Sequence, residues 1–181
     1  MNTLEEEFKK ETAKKLQKVL GIKNSNAVPA LLKIVLNMGV KDALSDKKNI
    51  EKAAETLSLI AGQKPRIMKA KKSIASFKLR EGDEVGLMVT LRGKRMYDFY
   101  QKLTTIVFPR IRDFHGVKKE SFDGHGNYTL GFEESTFFSE IDVSKAEKIQ
   151  GLEISIVTTA KDDKQGYALL EALGMPFKKD I

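Results

Sequence analysis

The chain contains no cysteine. It therefore has no disulfide, no thiolate nucleophile and no cysteine-based metal site, the usage expected of a chain kept in a reducing, cytosolic compartment. No stretch approaches the ~18 consecutive apolar residues that a membrane span needs. The start, Met1-Asn2-Thr3-Leu4-Glu5-Glu6-Glu7, is acidic and lacks the basic-then-apolar order of a secretory signal. Hydrophobic residues make up 41% and charged residues 31%, a balance too apolar for intrinsic disorder. With 181 residues, no internal repeat and no low-complexity tract or linker, a single domain spanning 1–181 is expected.

The catalytic inventory is also short. Gly124-His125-Gly126-Asn127 is followed by Tyr128 and Thr129, so G-x-G-x-x-G fails, and no G-K-[ST] occurs. That stretch reads as a tight turn. His115 and His125 stand ten residues apart without H-x-x-x-H or carboxylate spacing. Asp113, Asp123, Glu133 and Glu134 lie near them in sequence, but paired-carboxylate chemistry needs a spatial proximity that sequence does not supply. No G-x-S-x-G motif is present. No enzyme, cofactor or metal is expected.

One segment does lack something informative, namely acid. Lys64 to Arg80, KPRIMKAKKSIASFKLR, holds seven basic residues and no Asp or Glu. The net charge is +7, so the whole positive excess sits there and the rest of the chain carries 25 charges of each sign. A solvated helix face mixes signs, as Glu5–Lys9, Glu6–Lys10 and Glu11–Lys15 do near the start. An unbalanced run repels itself until an anion neutralises it. Phosphate is the expected partner; the run lacks the wide apolar face that a membrane surface would need.

Periodicity supplies the elements. Thr3 and Glu6 read as a capping box for a helix carrying Leu4, Phe8, Leu16, Val19 and Leu20, stopped near Gly21. Ala30 to Val40 alternates as a strand, with Leu32, Ile34, Leu36 and Met38 on one face and Lys33, Val35, Asn37 and Gly39 on the other. Asp46 caps a second helix with Ile50, Ala53, Ala54, Leu57, Ile60 and Ala61 as its stripe, ending at Gly62. The basic stretch reads as a loop between Pro65 and Gly82. Val85 to Leu91 alternates again, with Gly86, Met88, Thr90 and Arg92 opposite the apolar face. A helix after Gly93 packs through Met96, Tyr97, Tyr100, Leu103, Ile106 and Val107 and stops at Pro109. Tyr128 to Phe132 and Glu153 to Thr159 are short strands, and Asp162 to Leu173 is a final helix.

Strands that are polar on one face do not belong to a sheet buried on both. The expected fold is therefore an α+β sandwich, with helices on one face of a largely antiparallel sheet, the other face partly open, and an extended basic loop. That open face offers Lys33, Asn37, Thr90 and Arg92 as donors, while Gly39 and Gly86 permit close backbone approach. It carries no aromatic platform, and the consensus of the common RNA-recognition motif is missing. A folded, helical RNA read through phosphates, shape and 2′-hydroxyls fits better than a single strand. An RNA-acting enzyme and a free RNA-binding regulator remain the competing readings. The first requires a metal-binding carboxylate set or an activated nucleophile, and the second requires the protein to work away from ribosomes.

Several ordered blocks carry a family resemblance: KIVLNMGV from Lys33, AGQKPRIMKAKKSIASFKLREG from Ala61, VTLRGKRMYDF from Val89, FPRIRDFHG from Phe108, SFDGHGNYTLG from Ser121, ISIVTTAK from Ile154, and ALGMPF near the end. From about Val28 to Phe177 the chain resembles the bacterial family of large-subunit ribosomal protein five. The resemblance implies a cytoplasmic, ribosome-bound structural protein that binds 5S rRNA alongside 23S rRNA. Asn37, Gly39, Gln63, Lys64, Thr90 and Arg92 are the implied 5S contacts, joined by Lys33 from the polar face. It implies that the basic loop, Lys71 to Gly82, meets transfer RNA in the peptidyl site through Lys71, Lys72, Ser73, Lys78 and Arg80, with Phe77 against exposed nucleotides. It also implies a bridge to small-subunit ribosomal protein thirteen, around Pro109–Gly116 and Glu133–Asp142. The sequence departs from the family pattern at His115 and His125, where arginine is usual, at Lys41 for glycine, and at Ser139 for proline.

Overall fold

A computed structural model describes residues 4–40, 48–141 and 150–178. The expectations placed on Thr3, Lys41, Asp46 and Asp142 fall outside these residues. The main elements are α1 (residues 4–19), β1 (Leu31–Gly39), α2 (Lys48–Ala61), β2 (Arg66–Lys69), β3 (Glu84–Leu91), α3 (residues 93–110), β4 (Tyr128–Phe132), β5 (Leu152–Thr158) and α4 (Asp163–Ala172). The strands form one antiparallel sheet in the order β2-β3-β1-β5-β4. The α+β class expected from periodicity is the class observed.

The chain divides into two compact units, one from residues 1–34, 91–130 and 155–181, the other from 35–90 and 131–154. In the first, α1 buries Phe8 and Leu16, and the Phe8 ring lies 6.1 Å from that of Tyr97 on α3. Tyr100 is wholly buried, and its hydroxyl donates to the Leu170 carbonyl of α4 at 3.3 Å, so the polar tip is satisfied where the ring is dry. Burial pushes that hydroxyl's pKa up. In the second unit, α2 presents Ile50, Ala53, Leu57, Ile60 and Ala61 as one buried stripe, and Gly62 ends the helix with φ +62°. Fully burying Ile50, Leu57 and Ile60 contributes about 1.5–3 kcal/mol each, as an upper estimate.

Three positions depart from simple periodicity. Leu32 is 48% exposed while Leu31 is buried, because the alternation of β1 shifts by one residue before Ile34. Ile106 is exposed because α3 widens into a π turn over Leu103–Val107, which rotates the next turn of the helix and buries Phe108. Val19 is exposed for a related reason: α1 has its own π turn at Phe8–Thr12, and the stripe through Phe8 and Leu16 leaves Val19 aside. Pro109 does not stop α3 but sits inside its last turn, and the chain turns extended only at Ile111.

The turn between Phe122 and Tyr128 is a corner built from carboxylates and missing side chains. Asp123 accepts from the backbone N–H groups of His125 and Asn127 and from the Asn127 side chain at 2.7–3.1 Å. Those bonds, the Asn127 amide first, hold its carboxyl below the usual carboxylate range. Asn127 Oδ1 accepts from Thr158 N–H, and Asp163 accepts from Gly126 N–H. Asp162 caps α4 by accepting from Gln165 N–H at 2.8 Å. A Cβ on Gly166 would lie 2.6 Å from the Gly126 carbonyl, so α4 reaches this corner only without one. Gly166→Ala should cost about 1–3 kcal/mol by overpacking. Urea unfolding checks this, and unchanged stability would mean that the corner yields freely.

Candidate nucleic-acid interface

β3 pairs with β1 on one side and β2 on the other. On β1 the residues between the buried Ile34, Leu36 and Met38 are Val35 and Asn37, both half-buried, with Gly39 exposed at the strand end. On β3, Met88 and Thr90 are half-buried between the buried Leu87, Val89 and Leu91. A less buried side is therefore present on β1 from Val35 and on β3 from Met88, with Asn37 and Thr90 as its polar groups, while Gly86, expected on the same side, is buried.

Within the second unit this side is extended by the turn after α2. Gln63 is half-buried, and its Nε2 donates to the Thr90 carbonyl at 3.3 Å, which ties the turn to β3. Lys64 is exposed next to the buried Pro65. Asn37, Gly39, Gln63, Lys64 and Thr90 thus all belong to this unit. Lys33, half-buried, and Arg92, exposed in extended backbone just before α3, belong to the first unit.

The two glycines have different reasons to be glycine. A Cβ on Gly86 would meet the Met38 carbonyl at 2.9 Å, so the approach of β1 accounts for Gly86 from inside the protein. Gly86 is buried and is not a point where RNA backbone could close in. At Gly39 a Cβ would meet nothing within 4 Å, and the residue is exposed.

The basic stretch has more structure than a loop. Arg66, Ile67, Met68 and Lys69 form β2, paired antiparallel with Met88, Leu87, Gly86 and Glu84. This strand escaped the sequence reading because its burial pattern does not alternate: three of its four residues are exposed. Lys and Arg on an edge strand discourage pairing with a further chain. Beyond it the chain closes as a hairpin. Ala70 and Gly82 face each other through Gly82 N–H to Ala70 O at 3.0 Å, and Ile74 and Leu79 exchange bonds of 2.9 and 3.1 Å. The turn Ala75–Phe77 ends in Lys78 at φ +53°. Ser73 Oγ accepts from Glu81 N–H at 2.9 Å, and Asp83 accepts from Arg80 N–H at 2.8 Å.

Lys71, Lys72, Ser73, Phe77, Lys78 and Arg80 are all exposed on this hairpin. Phe77 is 71% exposed. Two cations not singled out from the sequence, Arg66 and Lys69, are exposed on β2 and extend the same charged surface. Their membership in the acid-free run was the available signal. Among the described residues no three His, Cys, Asp or Glu side chains gather as a metal site. His115 and His125 are exposed, and Asp123 is committed to its turn.

A family model described as "Ribosomal protein L5" matches residues 24–80, and a second model, for the C-terminus of the same ribosomal family, matches residues 84–177. The chain is 54% identical to "Large ribosomal subunit protein uL5" of Desulforapulum autotrophicum over 98% of its length and 99% of that protein's. It is 56% identical to the protein of the same name from Streptococcus sanguinis, with the same coverage. Gly86→Ala should lose about 1–3 kcal/mol of stability through the Met38 contact. Gly39→Ala should stay within ~0.5 kcal/mol of the parent. Thermal unfolding of the pair separates them, and equal losses would mean that the two glycines share one internal role.

Proposed function

Because the chain belongs to the ribosomal protein L5 family and is a structural, non-enzymatic constituent of the large ribosomal subunit, we propose that it binds 5S rRNA. Its place is the ribosome, in the cytoplasm. The 5S contact is assigned to Asn37, Gly39, Gln63, Lys64 and Thr90, with Lys33 and Arg92 as further contacts. The carrying observation is the Gln63–Thr90 bond, which fixes an amide side chain, with the exposed Lys64 next to it in the chain, beside the less buried face of β3. Amide, hydroxyl and ammonium groups of this kind suit phosphate, ribose and base edges of a helical RNA. 23S rRNA is the expected neighbour in the same subunit.

The hairpin is assigned to transfer RNA in the peptidyl site, through Lys71, Lys72, Ser73, Lys78 and Arg80, with Phe77 against an exposed nucleotide. Four exposed cations and a bare ring on a preformed turn support it. The bridge to small-subunit ribosomal protein thirteen is assigned to residues 109–116 and 133–141.

Asn37→Ala and Thr90→Val should each weaken 5S binding by on the order of 1 kcal/mol with the fold intact. A titration of purified protein against 5S rRNA at two salt concentrations checks this. Binding should fall steeply with salt, and a salt-insensitive complex would contradict phosphate docking. Changing Lys71, Lys72 and Lys78 together to Ala should spare 5S binding and weaken retention of peptidyl-site tRNA on ribosomes. Loss of 5S binding in that triple variant would move the hairpin to the other RNA.

A further inference from the structure

The methionines of this chain are not equally protected. Met38, Met96 and Met175 are buried, at 1–4% exposure, whereas Met68 and Met88 are only half-buried. Both belong to the second unit, on the neighbouring strands β2 and β3. The antiparallel ladder sets Arg66 opposite Met88, and Met68 opposite Gly86. Residues opposite one another, and residues two apart on one strand, share a face of a sheet. Met68, Met88 and Arg66 therefore share the face that carries Thr90, and Gly86 puts no side chain between the two thioethers.

The strand β1 adds the other flank. Val40 N–H donates to Val85 O at 3.0 Å, and a Cβ on Gly86 would lie 3.7 Å from Gly39 Cα. Counting back along the two antiparallel strands places Asn37 opposite Met88 and Val35 opposite Thr90. Met88 thus occupies the position between Arg66 on one neighbouring strand and Asn37 on the other. An oxidisable sulfur stands where two hydrogen-bond donors flank it.

We propose that Met68 and Met88 form a peroxide-sensitive site, at which oxidation to the sulfoxide switches off RNA binding by this sheet face. A sulfur lone pair attacks one oxygen of hydrogen peroxide, and the S–O bond forms as the O–O bond breaks. The departing hydroxide takes the proton of the attacked oxygen and leaves as water. Sulfur loses two electrons and the peroxide gains them. The product exchanges an apolar thioether for a strong hydrogen-bond acceptor. At Met88 that acceptor has Arg66 and Asn37 as neighbours, and it engages their donors in place of RNA. RNA seated on the face covers both sulfurs, so the site is open only in the unbound protein. The chain has no cysteine, and reversal draws on an external thiol reductant. The loss of binding rests on the 5S reading above, whereas the selectivity of oxidation does not.

The test exposes the free full-length chain to dilute hydrogen peroxide and maps each methionine by mass spectrometry. Tryptic residues 81–92 report Met88 alone, and residues 56–81, released by a Glu-specific protease, report Met68 alone. Met68 and Met88 should oxidise at least about tenfold faster than Met38, Met96 and Met175. With the reaction stopped there, affinity for 5S rRNA should fall about tenfold, with thermal unfolding unchanged. The double variant Met68→Leu with Met88→Leu should keep its own starting affinity through the same treatment. Equal oxidation rates at all five positions would overturn the site. Full affinity with both sulfoxides in place, or an equal loss in the double variant, would overturn the switch. Failure of the untreated chain to bind 5S rRNA would sink the 5S reading and the switch with it, while the map of rates decides the site by itself.

Discussion

The carbonyl of Met38 lies 2.9 Å from where a side chain on Gly86 would begin, and β3 pairs with β1 at that distance because none is there. Much else hangs on that pairing. β1 is the central strand of five, and β2 joins the sheet only through β3. The ladder from Arg66–Met88 to Lys69–Glu84 delivers the chain into the hairpin at a fixed register. The same β3 carries Thr90, whose carbonyl anchors Gln63. The less buried face of β3 and the basic hairpin are therefore both positioned through that one pairing.

The fold class was legible because most strands and helices carry a buried stripe. Ile34, Leu36 and Met38 alternate, and Ile50, Ala53, Leu57 and Ile60 recur at helical spacing, so period alone assigned them. β2 was illegible because it is an exposed edge strand whose evidence is the ladder to β3, a partner roughly twenty residues away. Ile106 and Val19 were misplaced because a π turn adds a residue to the helical period, and nothing in Leu103–Val107 or Phe8–Thr12 announces one. The polar side of the sheet was readable from alternation, but the reason for each glycine was not. Gly39 and Gly86 look alike in sequence, and only the position of the Met38 carbonyl separates them.

Charge shows the same division between what a count gives and what placement gives. The run from Lys64 to Arg80 was visible because it is continuous. Residues 110–119 hold Arg110, Arg112, Lys118 and Lys119 against Asp113 alone, a concentration that a whole-chain sum hides because acids elsewhere in the sequence cancel it. Electrostatic repulsion between fixed charges depends on separation, and within a Debye length of about 8–10 Å it is local composition that matters.

The closure of the hairpin has a kinetic meaning. Ordering a backbone costs roughly 1–2 kcal/mol per residue, and a segment that folds only on contact meets that cost at each encounter. Here Ser73, Asp83 and the Ile74–Leu79 exchange have already ordered the turn that carries the cations. A ligand meeting such a surface need not wait for it to assemble, and leaving does not require it to unravel. Encounter and release at this hairpin are then governed by charge and solvent, and no step of chain ordering is added to either.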